Sequence, residues 1–204
     1  MSTHLAIFGD FHLGAPFCPG VQWVIDKLEG HPVDVVIFTG DLVDMRHGTA
    51  ADIDAAADLF RHITTEMNLP VVMIWGNHDA AQDLASQFPD IPGVYRPRST
   101  DAVDKLSVPG VPVDFYGINV AQRLDERDVV ELFPPAEEGT AVGIFHTSLT
   151  GEWSKKPCLP ATREALYAKG YDAWALGHVH APHDFDGPVP MAWPGTGRML
   201  FWEV

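Results

Sequence analysis

Cysteine, positive charge and long apolar runs are what this chain has least of, and each scarcity removes a class of function. Two cysteines, Cys18 and Cys158, stand far apart with no C-x-x-C spacing. That excludes a zinc knuckle and a thioredoxin-type redox pair. Each follows a strand that ends in polar residues, which could bring the two onto one rim, but reduced thiols are the expected state in a cytosol. Lys and Arg number 13 against 28 Asp and Glu, a formal charge of −15. A broad grip on a polyanion rests on cations that neutralise phosphates, so this acidity confines any nucleic acid to a local site. No apolar run is long enough to span a bilayer, and Met1-Ser2-Thr3-His4 lacks the basic and apolar regions of a secretory leader. A cytoplasmic protein without a membrane partner is the default reading. With no internal repeat, low-complexity tract or linker, the chain reads as a single domain, residues 1–204, large enough to bury its own core.

What the chain does have is a recurring strand end: an apolar run, usually a glycine, then Asp, Asn or His. It appears as Ile7-Phe8-Gly9-Asp10-Phe11-His12, Ile37-Phe38-Thr39-Gly40-Asp41, Gly76-Asn77-His78-Asp79 and Leu176-Gly177-His178-Val179-His180. Ile144-Phe145-His146 repeats it without the glycine. The run before Asn77, Val71-Val72-Met73-Ile74, follows Pro70 and reads as a strand buried on both faces.

Around these ends the periodicity predicts strands at residues 5–9, 33–38 and 71–74, with helices at 21–28 and 50–67 between them. Such alternation implies a largely parallel sheet with functional residues at the carboxyl ends of its strands. Beyond Ala80 a helix to about Phe88 is followed by prolines and shorter strand-like segments at 102–103, 106–108 and 113–119. Residues 125–132 read as a charged surface helix, 140–145 as a strand, 161–169 as a helix, and 173–176 and 199–204 as strands. The expected fold is therefore α/β, with two stacked mixed β-sheets flanked by helices.

Taken together, Asp10, His12, Asp41, Asn77, His146, His178 and His180 supply carboxylate, imidazole and amide donors, which suit divalent manganese, iron or zinc. They are too many for one ion. Shared through a carboxylate that faces both ways, they suit two ions about 3.5–4 Å apart, the arrangement that serves phosphoryl transfer. His78 could be a ligand too, or could carry a proton.

The ordered set D-x-H, G-D-x-x-D, G-N-H-D, H and G-H-x-H, spanning residues 9–180, resembles the calcineurin-like metallophosphoesterase superfamily. That resemblance implies the αββα sandwich. It also implies two divalent ions, manganese by preference with iron, zinc or magnesium open. Asp10, His12 and His180 would hold one ion, Asn77, His146 and His178 the other, and Asp41 would bridge them. His78 would act as general acid, with Asp79 fixing its ring. Gly9-Asp10-Phe11-His12-Leu13-Gly14, Val113-Asp114-Phe115-Tyr116-Gly117, residues 171–182 and Pro194-Gly195-Thr196 look most like the SbcD-type DNA-repair nucleases. This implies a phosphodiester substrate, DNA in that family, and an ATPase partner by resemblance alone. The family's capping domain has no counterpart in these residues. The alternatives are a small-substrate phosphoesterase, acting on a cyclic nucleotide or a phosphomonoester, and a non-catalytic module that has lost its ligands.

For His4, His31, His47, His62 and His183 an ordinary surface or core role is expected. Asp44 is expected to brace a ligand or close a turn. Arg46, Arg98, Lys155 and Lys156 are candidate phosphate contacts with a solvated role as the commoner case, and Tyr95 and Trp153 are candidate base-stacking rings. Substrate choice is expected to lie in residues 80–112 and 147–160.

Overall fold

A computed structural model describes residues 2–150, 153 and 156–204. Strands β1 (His4–Phe8), β2 (Val35–Phe38), β3 (Val71–Met73) and β4 (Val94–Tyr95) run parallel, with β11 (Leu200–Glu203) antiparallel to β1. The sheet order is β11-β1-β2-β3-β4. A second sheet holds β5 (Asp104–Ser107), β6 (Val113–Gly117), β7 (Thr140–His146), β8 (Ala173–Gly177), β9 (His183–Asp184) and β10 (Met191–Trp193) in the order β5-β6-β7-β8-β10-β9. Its four inner strands are parallel and its two edge strands antiparallel.

Alternation along each strand assembles the layers. Leu5, Ile7, Val35, Ile37, Val72 and Ile74 of the first sheet face Val113, Phe115, Val142, Ile144, Ala173 and Ala175 of the second. The intervening residues point outward. Phe8, Val36, Phe38 and Met73 pack on Val24 and Leu28 of α1 (Val21–Glu29) and on Ala56 and Phe60 of α2 (Ala50–Arg61). On the other side Phe145, Trp174, Leu176 and Trp193 pack with Phe133 and with Leu166 of α5 (Arg163–Tyr167). The result is helices, sheet, sheet and helix in layers.

Several local expectations are corrected. The helix expected over 50–67 is α-helical only to Arg61 and continues as a wider π turn, His62–Glu66. The helix expected to reach Phe88 is two short ones, α3 (Asn77–Ala81) and α4 (Leu84–Gln87), separated where Asp83 takes a left-handed φ of 49°. Residues 125–132 form no α-helix; only Val130–Leu132 makes a short 3-10 turn. There the buried Asp125 carboxylate accepts the Ala121 N–H at 3.0 Å and two guanidinium nitrogens of Arg127 at 2.7 Å each. The Asp125 carbonyl accepts the Leu159 N–H at 2.6 Å, so it is diverted from any helical bond. The strand expected at 102–103 begins instead at Asp104, and β4, β9 and β10 are additions to the expected set. Cys18 packs against the outer cluster of the first sheet and Cys158 in that of the second, and both are free thiols. No helix among the described residues is long and apolar enough to cross a membrane.

Candidate metal centre

The parallel strands of both sheets deliver their polar ends to one rim of the sandwich. After β1 and β2 the chain runs as two adjacent loops, with the Asp10 N–H on the Gly40 carbonyl at 2.9 Å and the Phe11 N–H on the Asp41 carbonyl at 2.9 Å. Asp10, His12, Asp41 and His178 adopt positive φ angles of 46°, 50°, 59° and 93°. This left-handed backbone is uncommon outside glycine and costs on the order of 1 kcal/mol per residue. It turns each side chain off its strand and into the cleft. The glycines before the ligands allow the close approach. A Cβ on Gly177 would run into the Thr39 carbonyl and lie 2.6 Å from His146 Nδ1; one on Gly76 would strike the Asp41 carboxylate.

Two groups of donors meet at Asp41. His12 Nε2 lies 3.0 Å from His180 Nε2 and 3.8 Å from Asp41 Oδ2, and His180 Nε2 lies 4.0 Å from Asp10 Oδ1. On the other side His146 Nε2 is 3.5 Å from the same Asp41 oxygen. Asn77 Oδ1 lies 3.0 Å from His146 Nε2 and 2.8 Å from His178 Nδ1. The far ring nitrogens of these histidines face carbonyls, His146 Nδ1 that of Thr39 at 2.8 Å and His178 Nε2 that of Lys156 at 3.0 Å. For His178, donation there turns the lone pair of Nδ1 toward the Asn77 oxygen. Lone pairs aimed at one another repel, and a cation between them removes the repulsion. The donor set therefore fits divalent metal, and the Asp10, His12, Asp41 and His180 ligating atoms lie within 4.8 Å of one another.

The charges agree. Burial pushes the Asp10 carboxyl up to about 7, aided by Asp41 and opposed by His146. Burial acts the same way on Asp41, but the imidazoles of His146, His78 and His12 hold it well below the usual carboxylate range. Burial opposes charge on His146, yet Asp41 and Asp10 raise it to about 9. Burial lowers His12 and His178 to about 4 and depresses His180. Without an ion the cluster thus favours charge on Asp41 paired with His146, and a bound divalent ion would compete with protons for these groups.

All the residues picked out by the strand-end pattern come together, with two changes of neighbour. Asp79 does not orient the His78 ring. Its buried carboxylate accepts the N–H groups of Asp41 at 2.8 Å, Leu42 at 2.8 Å and Gly76 at 2.9 Å, clamping the Asp41 loop to the Asn77 loop. His78 Nδ1 is buried and has no hydrogen-bond partner among the described residues. The carboxylate near the His78 ring is that of Asp44, grouped with His12 and His78 within 4.8 Å. Asp44 also closes a turn, accepting the Arg46 and His47 N–H groups at 2.9 Å and His47 Nδ1 at 2.7 Å.

The cleft above these groups has a volume of about 390 Å³, and Arg123, Trp153 and Lys156 also line it. Arg123 is absent from the sequence-based candidates, because a cation in a polar loop carries no local signal. Trp153 leans on His183 and Phe185, at ring distances of 4.5 and 5.3 Å, so His183 keeps a packing role. Arg98 and Tyr95 line a different cavity, and Lys155 lies outside the described residues. Cys158 is buried beside the centre, its Sγ 3.5 Å from the His146 carbonyl, and burial pushes its thiol well up.

Comparison with known proteins agrees with this geometry. The chain is 25% identical over 184 residues to the metallophosphoesterase YhaO of Bacillus subtilis, covering 86% of this chain and 44% of that one. It is 30% identical over 200 residues to the DNA double-strand break repair protein Mre11 of Aeropyrum pernix, covering 86% of this chain and 46% of that one. The chain thus spans about half the length of the curated relatives it matches. Among solved structures, TT1561 of Thermus thermophilus superimposes with a TM-score of 0.58 at 12% identity, covering 96% of this chain and 90% of that one. A dimetal phosphatase from Danio rerio does so with 0.54 at 13%, covering 93% and 85%. These two share the fold. The family model for calcineurin-like phosphoesterases matches residues 3–182, the stretch that carries every donor described above, and the chain belongs to that family.

Proposed function

We propose that the chain is a two-metal phosphodiesterase that cuts DNA. The observation that carries the two-metal reading is the position of Asp41 Oδ2, approached by His12 Nε2 from one side and His146 Nε2 from the other. In this reading Asp41 bridges, Asp10, His12 and His180 complete one site, and Asn77, His146 and His178 complete the other. Manganese is the preferred ion because the donors mix oxygen with imidazole nitrogen and no thiolate is required. Such ions supply charge neutralisation of the phosphoryl oxygens and activation of water at neutral pH.

The protein's own groups do the rest. His78 stands beside the His12 half of the centre, its backbone N–H on Asp41 Oδ1 at 2.8 Å and its ring edge-on to His12 at 4.7 Å. From there it donates a proton to the leaving oxygen. Asp44, whose carboxylate lies within 4.8 Å without a hydrogen bond to the ring, is the proposed positioning residue, and Asp79 holds the loops in register. Arg123 and Lys156, which line the same cleft, take the substrate's phosphates.

DNA is the preferred substrate on two grounds: the Mre11 relative is named for DNA break repair, and two cations, Arg123 and Lys156, line the cleft with the candidate metal donors. The second reading, a small-substrate phosphoesterase, is favoured by the formal charge of −15. A panel of DNA, cyclic nucleotides and phosphomonoesters with manganese decides between them. Cleavage of single- or double-stranded DNA is expected; hydrolysis of a small aryl diester with DNA left intact moves the assignment to the second reading.

A further inference from the structure

We propose that the protein carries a second phosphate-binding site, away from the metal cleft, where the edges of the two sheets meet. Its ligand is a nucleoside phosphate, with the phosphate on Arg96 and Arg98 and the base against Tyr95. The cavity has a volume of about 490 Å³ and is lined by Val94 and Tyr95 of β4, Leu106 of β5, Trp75, Arg96 and Arg98. That volume lies within the range of small-ligand sites, about 300–1,000 Å³. Both β4 and β5 are edge strands, each paired on one side only.

Arg96 is held ready. One guanidinium nitrogen bonds Asp90 at 2.6 Å, and the group lies over the rings of Trp75 and Phe88 at 5.6 and 6.0 Å. Its Nη1 is buried with no hydrogen-bond partner among the described residues. A charged donor stripped of water and left without an acceptor is costly, and a turn of the guanidinium toward the cavity would let an anionic oxygen satisfy it. Asp90 is fully exposed and contributes little neutralisation. Arg98, two residues on, is exposed; its backbone N–H is fixed by Asp104 at 2.7 Å, and among the described residues its guanidinium has no bonded partner. Tyr95 and Leu106 are half-buried and give the cavity an aromatic and an aliphatic surface. In a chain with 13 basic residues against 28 acidic, two arginines on one cavity wall do not belong to a broad basic face. The back wall is rigid, because Asn119 accepts the Trp75 N–H at 3.0 Å and donates to the Pro97 carbonyl at 2.8 Å.

The nucleoside phosphate is either free or one unit of a DNA strand. Calorimetric titration of the full chain in EDTA, with AMP and with a short single-stranded oligonucleotide as probes, reads the site without metal-dependent binding. One-to-one binding is expected, weakened at least about tenfold by Arg98→Glu and also by Arg96→Gln. Manganese-dependent hydrolysis of an aryl phosphodiester by Arg98→Glu should match the parent, which shows that this variant folds. AMP binding identifies a free nucleotide; binding of the oligonucleotide alone identifies a strand. No saturable binding of either probe, or binding that both variants retain, overturns the proposal. The nuclease reading fails by a different measurement, hydrolysis with metal present, so the two failures are distinguishable.

Discussion

A proton donor in a metal centre has to be kept near the ions without becoming a ligand, and this is the role proposed for His78. Its neighbour Asn77 turns an oxygen to His146 and His178, while the His78 backbone N–H, not its ring, bonds the shared Asp41. His78→Ala is therefore expected to bind both ions normally and to lose about 10²–10⁴-fold in turnover on DNA. The loss should be smallest on an activated nitrophenyl diester, whose leaving group needs no proton. Metal counting by mass spectrometry alongside both assays checks this, and a variant short of one ion would make His78 a ligand. The side chains that cluster at the rim are legible in the sequence because each ends an apolar run. The role of Asp79 is not, because adjacency suggests the His78 ring, whereas α3 starts there and turns its carboxylate back to N–H groups of the Asp41 loop. Asp44 reaches the ring from another loop, and Arg123 the cleft from a third, contacts that no local spacing encodes.

Among the elements, strands with long β-branched or aromatic runs are readable, and the segments governed by single side chains are not. Residues 125–132 have helical composition, yet Asp125 takes up backbone and guanidinium donors and folds the segment onto Leu159. β9 and β10 are too short to show a period. The Asp125 clamp has a pH signature. Burial alone would raise this carboxyl, but the Arg127 guanidinium and the N–H groups of Ala121 and Arg127 hold it below its ordinary value. A carboxylate depressed in the fold stabilises it fully above the unfolded value, about 4, and loses that contribution as pH falls through the folded value. Asp125→Asn should be about 2 kcal/mol less stable than the parent near neutral pH, with the gap closing in acid. Denaturant melts across that range test it; a gap independent of pH would show that Asp125 acts by packing alone. The same clamp ties the cleft wall together, since the loop bearing Arg123 is bonded through Asp125 to the loop bearing Lys156.

At the scale of the whole molecule, acidity and local cations set the response to salt. Counterion release gives a slope of log affinity on log salt of roughly −0.7 to −0.9 per neutralised phosphate. With Arg123 and Lys156 as the cations lining the cleft, DNA binding should show a slope of about −1.5, steepening toward about −3 if a strand also reaches Arg96 and Arg98. Affinities measured over a salt series decide it, and a slope far steeper than about −3 would mean a wide basic face that this charge distribution lacks. The layered fold itself is legible, because alternation in the strands and the helical period of α1 and α2 select their faces without reference to the rest of the chain.

The first and last strands lie side by side, and Thr3 and Val204 exchange backbone hydrogen bonds of 2.8 and 3.0 Å. β1 runs from this pair toward Asp10, so the paired ends sit at the opposite rim from the metals. Within residues 3–204 the path of the backbone is thus close to a closed ring, and the order in which these residues visit their strands can be changed without changing any strand's neighbours. A circular permutant with a short glycine bridge from Val204 to Thr3, reopened at the exposed Gly139, where a Cβ would meet nothing within 4 Å, should fold to the same two sheets and take up the same complement of metal.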